Sequence, residues 1–481
     1  MNAFGQRNVT LWSASEVAAA TAGSAGGVSD WSAGGVSIDS RTVEPGDLFI
    51  AIVGPHADGH DFVAQALAAG AAGCVVSRRP DGIDDGAPLV QVGDTMTAMQ
   101  ELARAARNRS AARIAAITGS VGKTGTKDML RCALAAQNGG SAKVSATVGN
   151  LNNHWGLPLS LARMPAATDF GVFEMGMNHA GEIEPLSRLA RPDVAAITAI
   201  EPVHIEFFDG IDGIAEAKAE IFAGVREDGA AIFDRGSAFY DLLCRRAAEA
   251  GIDRIVTFGG RDADIAGMTI DTDAEGSDIQ ADVNGRRVDY RLNLPGQHLA
   301  RNSLAVLAVL DALGADVAVG AAALAQLSPG AGRGHRLRID IEGGSFLLID
   351  ESYNASPASM RAAMDVAGMI DPEGEGRRIA VLGDMLELGD SALEAHLGLL
   401  DGLTANRFDR VFAVGQLMTD LWRLLPAELQ GEHTHNPEAL AEIVSGAVQP
   451  GDVVMVKGSL GSRVGAVVKR LTGAADNVAE A

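Results

Sequence analysis

An apolar run, Ile114-Ala-Ala-Ile117, leads into Thr118-Gly119-Ser120-Val121-Gly122-Lys123-Thr124 and then into a helix-forming stretch through Leu134. No other feature constrains the fold as strongly. A glycine turn between a strand and a helix can wrap backbone N–H groups around a phosphate, while the helix N-terminus adds positive potential. Lys123 is placed to reach the β- and γ-phosphates of a nucleotide, and the Thr124 hydroxyl to sit on Mg²⁺. The chain departs from the full phosphate-loop pattern at Ile117, where that pattern has glycine.

The surrounding sequence agrees with an α/β arrangement. Apolar runs at 170–173, 194–200 and 230–233 are continuous rather than alternating, as expected of parallel strands covered on both faces by helical crossovers. Residues 267–294 differ, and Val283-Asn-Gly-Arg286 predicts an antiparallel hairpin. Runs at 346–349, 379–382, 411–414 and 453–456 predict a second mostly parallel domain of Rossmann-like type. Nearer the N-terminus, Ser13-Ala-Ser-Glu16 predicts a capping box and a short helix. Segments 36–41 and 47–53 predict two short strands about the turn Glu44-Pro45-Gly46, followed by a helix near 62–69 and a strand near 74–76. At roughly 100–200 residues per domain, 481 residues divide into three: 1–110, 111–327 and 328–481, with Ser328-Pro-Gly-Ala-Gly332 as a hinge.

Composition narrows the function. Thirty-nine basic against 62 acidic side chains give a formal charge of −23, which repels a phosphate backbone and argues against nucleic-acid binding. Small phosphorylated ligands remain possible wherever a few basic groups and N–H donors converge. Cys74, Cys132 and Cys244 are scattered, as in a reducing compartment without a disulfide framework. No apolar run approaches the ~20 residues needed to span a bilayer, and Glu16 interrupts the candidate leader segment. A cytoplasmic protein without membrane insertion is expected.

Phosphoryl transfer needs metal ligands near the γ-phosphate to absorb its charge. Phe170-Gly-Val-Phe-Glu174 ends in a carboxylate at the sheet edge that carries the phosphate loop, and a loop rich in ligand-type side chains follows it. His204 lies just after the run 194–200, and Lys218 lies in the helical stretch Ile214-Ala-Glu-Ala-Lys218. Singly, such residues are more often solvated, capping or paired on their own helix.

Together they resemble the Mur ligases, and the likeness covers nearly the whole chain. It is carried by Ser37-Ile-Asp-Ser-Arg-Thr-Val-Glu-Pro-Gly-Asp-Leu-Phe-Ile-Ala51, Asp58-Gly-His-Asp-Phe62, the phosphate loop, Gly149-Asn-Leu-Asn-Asn-His-Trp-Gly-Leu-Pro158, Glu174-Met-Gly-Met-Asn-His179, Glu351-Ser-Tyr-Asn-Ala355, Val381-Leu-Gly-Asp-Met-Leu-Glu-Leu-Gly389 and Val456-Lys-Gly-Ser459. The phosphate loop and Glu174 are common to all Mur ligases and to folate polyglutamate ligases. The stretches at 149–154, 352–355 and 382–389 resemble the branch that adds D-alanyl-D-alanine.

The resemblance implies a small UDP-binding α/β domain, a central P-loop ATPase-like domain with a mostly parallel sheet and a small antiparallel one, and a C-terminal Rossmann-like domain that binds the incoming dipeptide. It implies ATP on Gly119, Ser120, Val121, Gly122, Lys123 and Thr124, with Asn302 on adenine and with Arg333 and Asp350 closing on the phosphates and ribose. Lys218 would be carbamylated and share one Mg²⁺ with His204, while Thr124 and Glu174 hold a second; Lys123, Glu174, His204 and Lys218 form the catalytic set. Ser40 and Arg41 match a UDP-binding strand, Asn150 and Asn153 the muramoyl-peptide channel, and Asn354 and Asp384 are candidates for holding the dipeptide.

The implied reaction is ATP-dependent addition of D-alanyl-D-alanine to UDP-N-acetylmuramoyl-tripeptide through an acyl phosphate, giving the pentapeptide precursor of peptidoglycan, by a monomeric enzyme. The alternative is a sister ligase that adds the third-position diamino acid. Such an enzyme is expected to carry an Asp-Asn-Pro-Arg-type motif, and this chain has Leu382-Gly-Asp-Met-Leu386 instead. A non-catalytic nucleotide-binding scaffold is the reading from another class, and the intact Lys123, Glu174, His204 and Lys218 argue against it. One departure adds a carboxylate, Glu201, ahead of His204.

Overall fold

A computed structural model describes residues 10–202 and 205–473. Three larger sheets organise the chain. In the first, the spatial order is Ser24–Gly26, Leu89–Gln91, Gly73–Val76, Asp47–Ile50 and Gly35–Ser37, parallel apart from the antiparallel edge strand Ser24–Gly26. The helix Ala14–Thr21 opens with the expected capping box: Ser13 Oγ accepts from the Glu16 N–H, and the Glu16 carboxylate accepts from the Ser13 N–H at 2.7 Å. The strand expected to carry Ser40 and Arg41 stops at Ser37. Asp39 ends it, since its carboxylate takes both the backbone N–H and the guanidinium of Arg41, a local turn that competes with strand pairing.

The central sheet has nine strands in the order Arg286–Leu292, Ser277–Val283, Ile265–Thr272, Arg254–Gly259, Ala230–Asp234, Val194–Ile197, Arg113–Thr118, Phe170–Glu174 and Val144–Ala146. From Ile265–Thr272 to Val144–Ala146 all neighbours are parallel. Both faces of these strands are apolar. Ala115 and Ile117 pack toward the helices Lys123–Ala135 and Gln297–Ala312, while Ile114 and Ala116 pack toward Ile183–Ala190 and Ile211–Ala219. Ile117 is fully buried and pairs with Glu174 and Ala196 in mid-sheet, so the phosphate loop begins beyond it.

The Asn284-Gly285 hairpin forms as expected, with φ of +50° and +82° at the two turn residues. Its strands, however, make no separate small sheet. Asp264 accepts from the Thr257 N–H and hydroxyl, folding the chain back so that Ile265–Thr272 continues the central sheet before the antiparallel pairing starts.

The C-terminal sheet runs His335–Ile341, Gly344–Glu351, Val453–Lys457, Arg378–Gly383, Arg410–Val414 and Gln430–Thr434, parallel except for the first hairpin. Among the described residues no helix is long and apolar enough to cross a membrane.

Candidate phosphate and metal site

The phosphate loop lies between Arg113–Thr118 and Lys123–Ala135. Gly119 and Gly122 adopt φ of +152° and +87°, which disfavour a side chain. Space forbids one as well: a Cβ would lie 2.0 Å from Thr198 Oγ1 at Gly119 and 2.5 Å from Asn302 Nδ2 at Gly122. The loop is bonded to the segment after the neighbouring strand. Ser120 N–H donates to Ala199 O at 2.8 Å, Ser120 Oγ donates to Glu201 O at 2.8 Å, and Thr198 Oγ1 donates to Val121 O at 2.6 Å. Glu201 thus serves the loop through its backbone. Lys123 Nζ folds back to donate to Gly119 O at 2.6 Å, and burial, the Arg333 guanidinium acting with it and Glu174 against, lowers its pKa.

Glu174, 2% exposed, is held from three sides. Thr124 Oγ1 donates to one carboxylate oxygen at 2.9 Å, Asn152 Nδ2 donates to the other at 2.8 Å, and the Glu174 N–H donates to Thr147 Oγ1 at 3.0 Å. Asn152 and Thr147 were not legible as site residues. Asn152 stands between two asparagines that were, and only the loop's path selects it: Asn150 is exposed, and Asn153 Oδ1 accepts from the Trp155 and Gly156 N–H groups.

Lys218 is the penultimate residue of the helix Ile211–Ala219 and is 2% exposed. Burial, and secondly the Lys123 ammonium, hold its pKa well below that of an ordinary lysine, favouring a neutral, nucleophilic amine. Two residues on, Glu220 accepts from the Gly181 N–H at 2.6 Å and from the Ile183 and Glu184 N–H groups, capping the helix Ile183–Ala190. His204 lies outside the described residues. Among those described, no cluster of three or more His, Cys, Asp or Glu side chains stands ready for a metal. Thr124 and Glu174 supply hard oxygen donors of the kind Mg²⁺ accepts beside phosphate.

The remaining candidates fall into two groups. Asn302, on Gln297–Ala312, stands against Gly122, and the Arg333 guanidinium lies 4.2 Å from the Tyr353 ring centroid. Asp350 shapes the turn that carries Arg333, accepting from Gly332 N–H at 2.9 Å and Ser352 Oγ–H at 2.6 Å. The others stand apart from the loop. Ser40 Oγ donates to Gln65 Oε1, and Arg41 pairs with Asp39. Asn354 is exposed and gives its carbonyl to Lys457 Nζ, which also pairs with Glu351 at 3.2 Å. The Asp384 carboxylate caps Met418–Leu424 through the Leu417 and Met418 N–H groups, and Gly415 leaves room for it only by lacking a Cβ.

Three sheets joined in this order, with a phosphate loop beside a buried glutamate, define an α/β protein with a phosphate-loop site, and three family models match it in succession. Residues 33–107 match the Mur ligase family catalytic domain, 117–310 the Mur ligase middle domain and 335–460 the Mur ligase glutamate ligase domain. The chain belongs to the Mur ligase family and is a carbon–nitrogen-bond-forming ligase. The UDP-N-acetylmuramoyl-tripeptide–D-alanyl-D-alanine ligase of Escherichia coli is 35% identical over 91% of this chain and 93% of its own length. The UDP-N-acetylmuramoylalanyl-D-glutamyl-2,6-diaminopimelate–D-alanyl-D-alanyl ligase of Acinetobacter baumannii has a similar structure, with TM-score 0.82 at 30% identity, covering 97% of this chain and all of that one. The MurF ligase of Thermotoga maritima, solved with ADP, gives TM-score 0.73 at 26% identity over 91% and 97% of the two chains.

Proposed function

We propose that this chain joins D-alanyl-D-alanine to UDP-N-acetylmuramoyl-tripeptide with cleavage of ATP to ADP and phosphate, acting in the cytoplasm as a monomer. Residues 1–110 would bind the UDP-muramoyl moiety, 111–327 ATP, and 328–481 the dipeptide. The relatives' activities support the substrates. The observation that carries the site is the chain Thr124–Glu174–Asn152, which ties the phosphate loop to the 149–155 loop.

In the first step the tripeptide's terminal carboxylate oxygen attacks the γ-phosphorus of ATP and the bond to ADP breaks, giving an acyl phosphate. In the second, the neutral amine of D-alanyl-D-alanine attacks the acyl carbon; the carbon–oxygen bond breaks, phosphate leaves, and the amine gives up a proton. The Lys123 ammonium and the loop N–H groups hold the charge that spreads over the transferring group, fixed in place before the reaction starts. Thr124, Glu174, His204 and a carbamylated Lys218 would hold Mg²⁺, which would neutralise phosphate charge. The depressed basicity of Lys218 suits carbamylation, because only the free amine adds CO₂. Asn302, whose amide lies close against Gly122, would contact adenine, and Arg333, on the turn shaped by Asp350, brings a second cation toward Lys123. Ser40 and Arg41 remain proposed for UDP, Asn150 and Asn153 for the peptide channel. Asn354 and Asp384 remain proposed for the dipeptide, the Asp384 carboxylate also capping a helix.

Phosphate release from ATP is to be measured with each substrate alone and with both, together with product mass. Release only with both, and the pentapeptide mass, is expected. Turnover that instead requires the dipeptide precursor and a free diamino acid would move the chain to the sister activity.

A further inference from the structure

The segment that joins the central and C-terminal sheets, Ser328-Pro-Gly-Ala-Gly-Arg-Gly334, carries three glycines in its last five residues. Backbone this free does not by itself set the direction in which the next sheet points. Arg333, inside the segment, nevertheless has its charge felt at Lys123, and its guanidinium rests on the Tyr353 ring. Tyr353 donates its N–H to Gly332 O at 3.2 Å, and Asp350 receives the Gly332 N–H. These braces come from the C-terminal unit, so the distance from Arg333 to the phosphate loop is set by how that unit stands on the central one.

Arg336 reaches back across the junction. It lies on the strand His335–Ile341, with its side chain 17% exposed. One guanidinium nitrogen donates to the Glu275 carboxylate at 2.9 Å and another to the Ala274 carbonyl, while Nε has no partner among the described residues. Ala274 and Glu275 form the turn between Ile265–Thr272 and Ser277–Val283, in the antiparallel extension of the central sheet. Bonds inside the central unit already shape that turn. Asp273 accepts from the Glu275 and Gly276 N–H groups, and the Arg291 guanidinium holds the Asp273 carboxyl down at about 2. From Arg336 back to Arg333 the chain is held in register: Arg336 pairs with Ile349, His335 with Asp350, and the Gly334 N–H donates to Asp350 O at 2.8 Å.

Resting on the ligase reading above, we infer that Arg336 is a positioning residue for the reaction: its grip on the 273–276 turn holds the C-terminal unit where Arg333 faces the nucleotide phosphates. The bond to the Ala274 carbonyl carries most of that grip. The Glu275 side chain is 80% exposed, so its ion pair is screened and weak. A guanidinium largely removed from water loses more when its inner partner goes. Arg336 acts through the placement of Arg333 and not through contact with substrate.

The test measures kcat and KM for ATP by phosphate release with both substrates, alongside melting temperature. Losing a hydrogen bond to a charged group shifts a two-state population by about tenfold or more, so Arg336→Met should raise KM for ATP about three- to tenfold with kcat little changed. Glu275→Gln should raise it less than about twofold, and Arg336→Lys should keep part of the parent's affinity. In an Arg333→Met background, Arg336→Met should add less than about twofold, because the residue it acts through is gone. Should Arg336→Met fold poorly, Arg336→Lys with and without Arg333→Met decides in the same way. An unchanged KM for ATP, or an equal effect with and without Arg333, overturns the inference and leaves the ligase assignment standing. A parent that releases no phosphate with both substrates removes the ligase reading and this inference with it.

Discussion

Replacing Asn152 with alanine deletes the amide that donates to Glu174 at 2.8 Å, leaving Thr124 as the remaining side-chain donor to that carboxylate among the described residues. A hydrogen bond to a charged group contributes about 1.5–3 kcal/mol. Glu174 is 2% exposed, so water replaces the lost donor poorly and the upper half of that range applies. At ~1.4 kcal/mol per decade, a loss of ~2.5 kcal/mol corresponds to roughly 60-fold, within the ~10–100-fold usually lost with an outer partner of a metal ligand. The assay is phosphate release with both substrates, titrated with Mg²⁺. The half-saturating Mg²⁺ concentration should rise by that factor in Asn152→Ala. Asn436→Ala is the comparison, since it removes only a helix N-cap bond worth ~1 kcal/mol of stability and should leave the Mg²⁺ curve in place. A folded Asn152→Ala protein with an unchanged Mg²⁺ curve, or equal shifts in both variants, would refute the assignment of Glu174 as a ligand steadied by Asn152.

Gly122→Ala puts a Cβ at φ +87° and 2.5 Å from the Asn302 amide; backbone strain alone costs ~1–2 kcal/mol. KM for ATP should rise about tenfold or more, and unchanged nucleotide affinity by calorimetry would separate Asn302 from the loop. Lys218→Met removes a buried amine, so the melting temperature should not fall, while turnover drops at least ~100-fold; full activity would exclude Lys218 from the chemistry. His396 is buried, accepts from the Met385 N–H and bonds Ala392 O, and burial depresses its pKa. Its folded pKa lies below the unfolded value near 6.5, so its contribution is complete above that value and is lost as pH falls through the folded pKa. Urea unfolding at pH 7.5 and 5.5 should show a smaller loss in His396→Gln than in the parent; equal slopes would exclude His396 as a source of acid sensitivity.

What could be read from sequence was what local rules determine. The phosphate loop, the Ser13 capping box and the Asn284-Gly285 hairpin each declare themselves within about ten residues, and continuous apolar runs announce parallel strands without any partner being known. Family resemblance then brought Lys218 and Glu174 into one picture. The rest depended on three-dimensional path. Asn150, Asn152 and Asn153 are chemically alike, and only the turn through Gly149 and Trp155 decides which one meets Glu174. Asp384 also accepts from the N–H groups at the start of a helix 33 residues downstream, a role no local pattern announces. The Asp39–Arg41 turn and the return at Asp264 show the same limit, since a short side-chain bond decided where strands ended and joined.

Glu220 joins two segments that lie 37 residues apart in sequence. Lys218 is buried and feels the charge of Lys123, and Glu220, two positions along the same backbone, clamps the start of the helix Ile183–Ala190. A ligand held at Lys218 would therefore also restrain that helix, and ordering either end would lower the entropy lost on ordering the other. Such coupling runs equally in both directions. Two residues of spacing therefore suffice for the two segments to be ordered together.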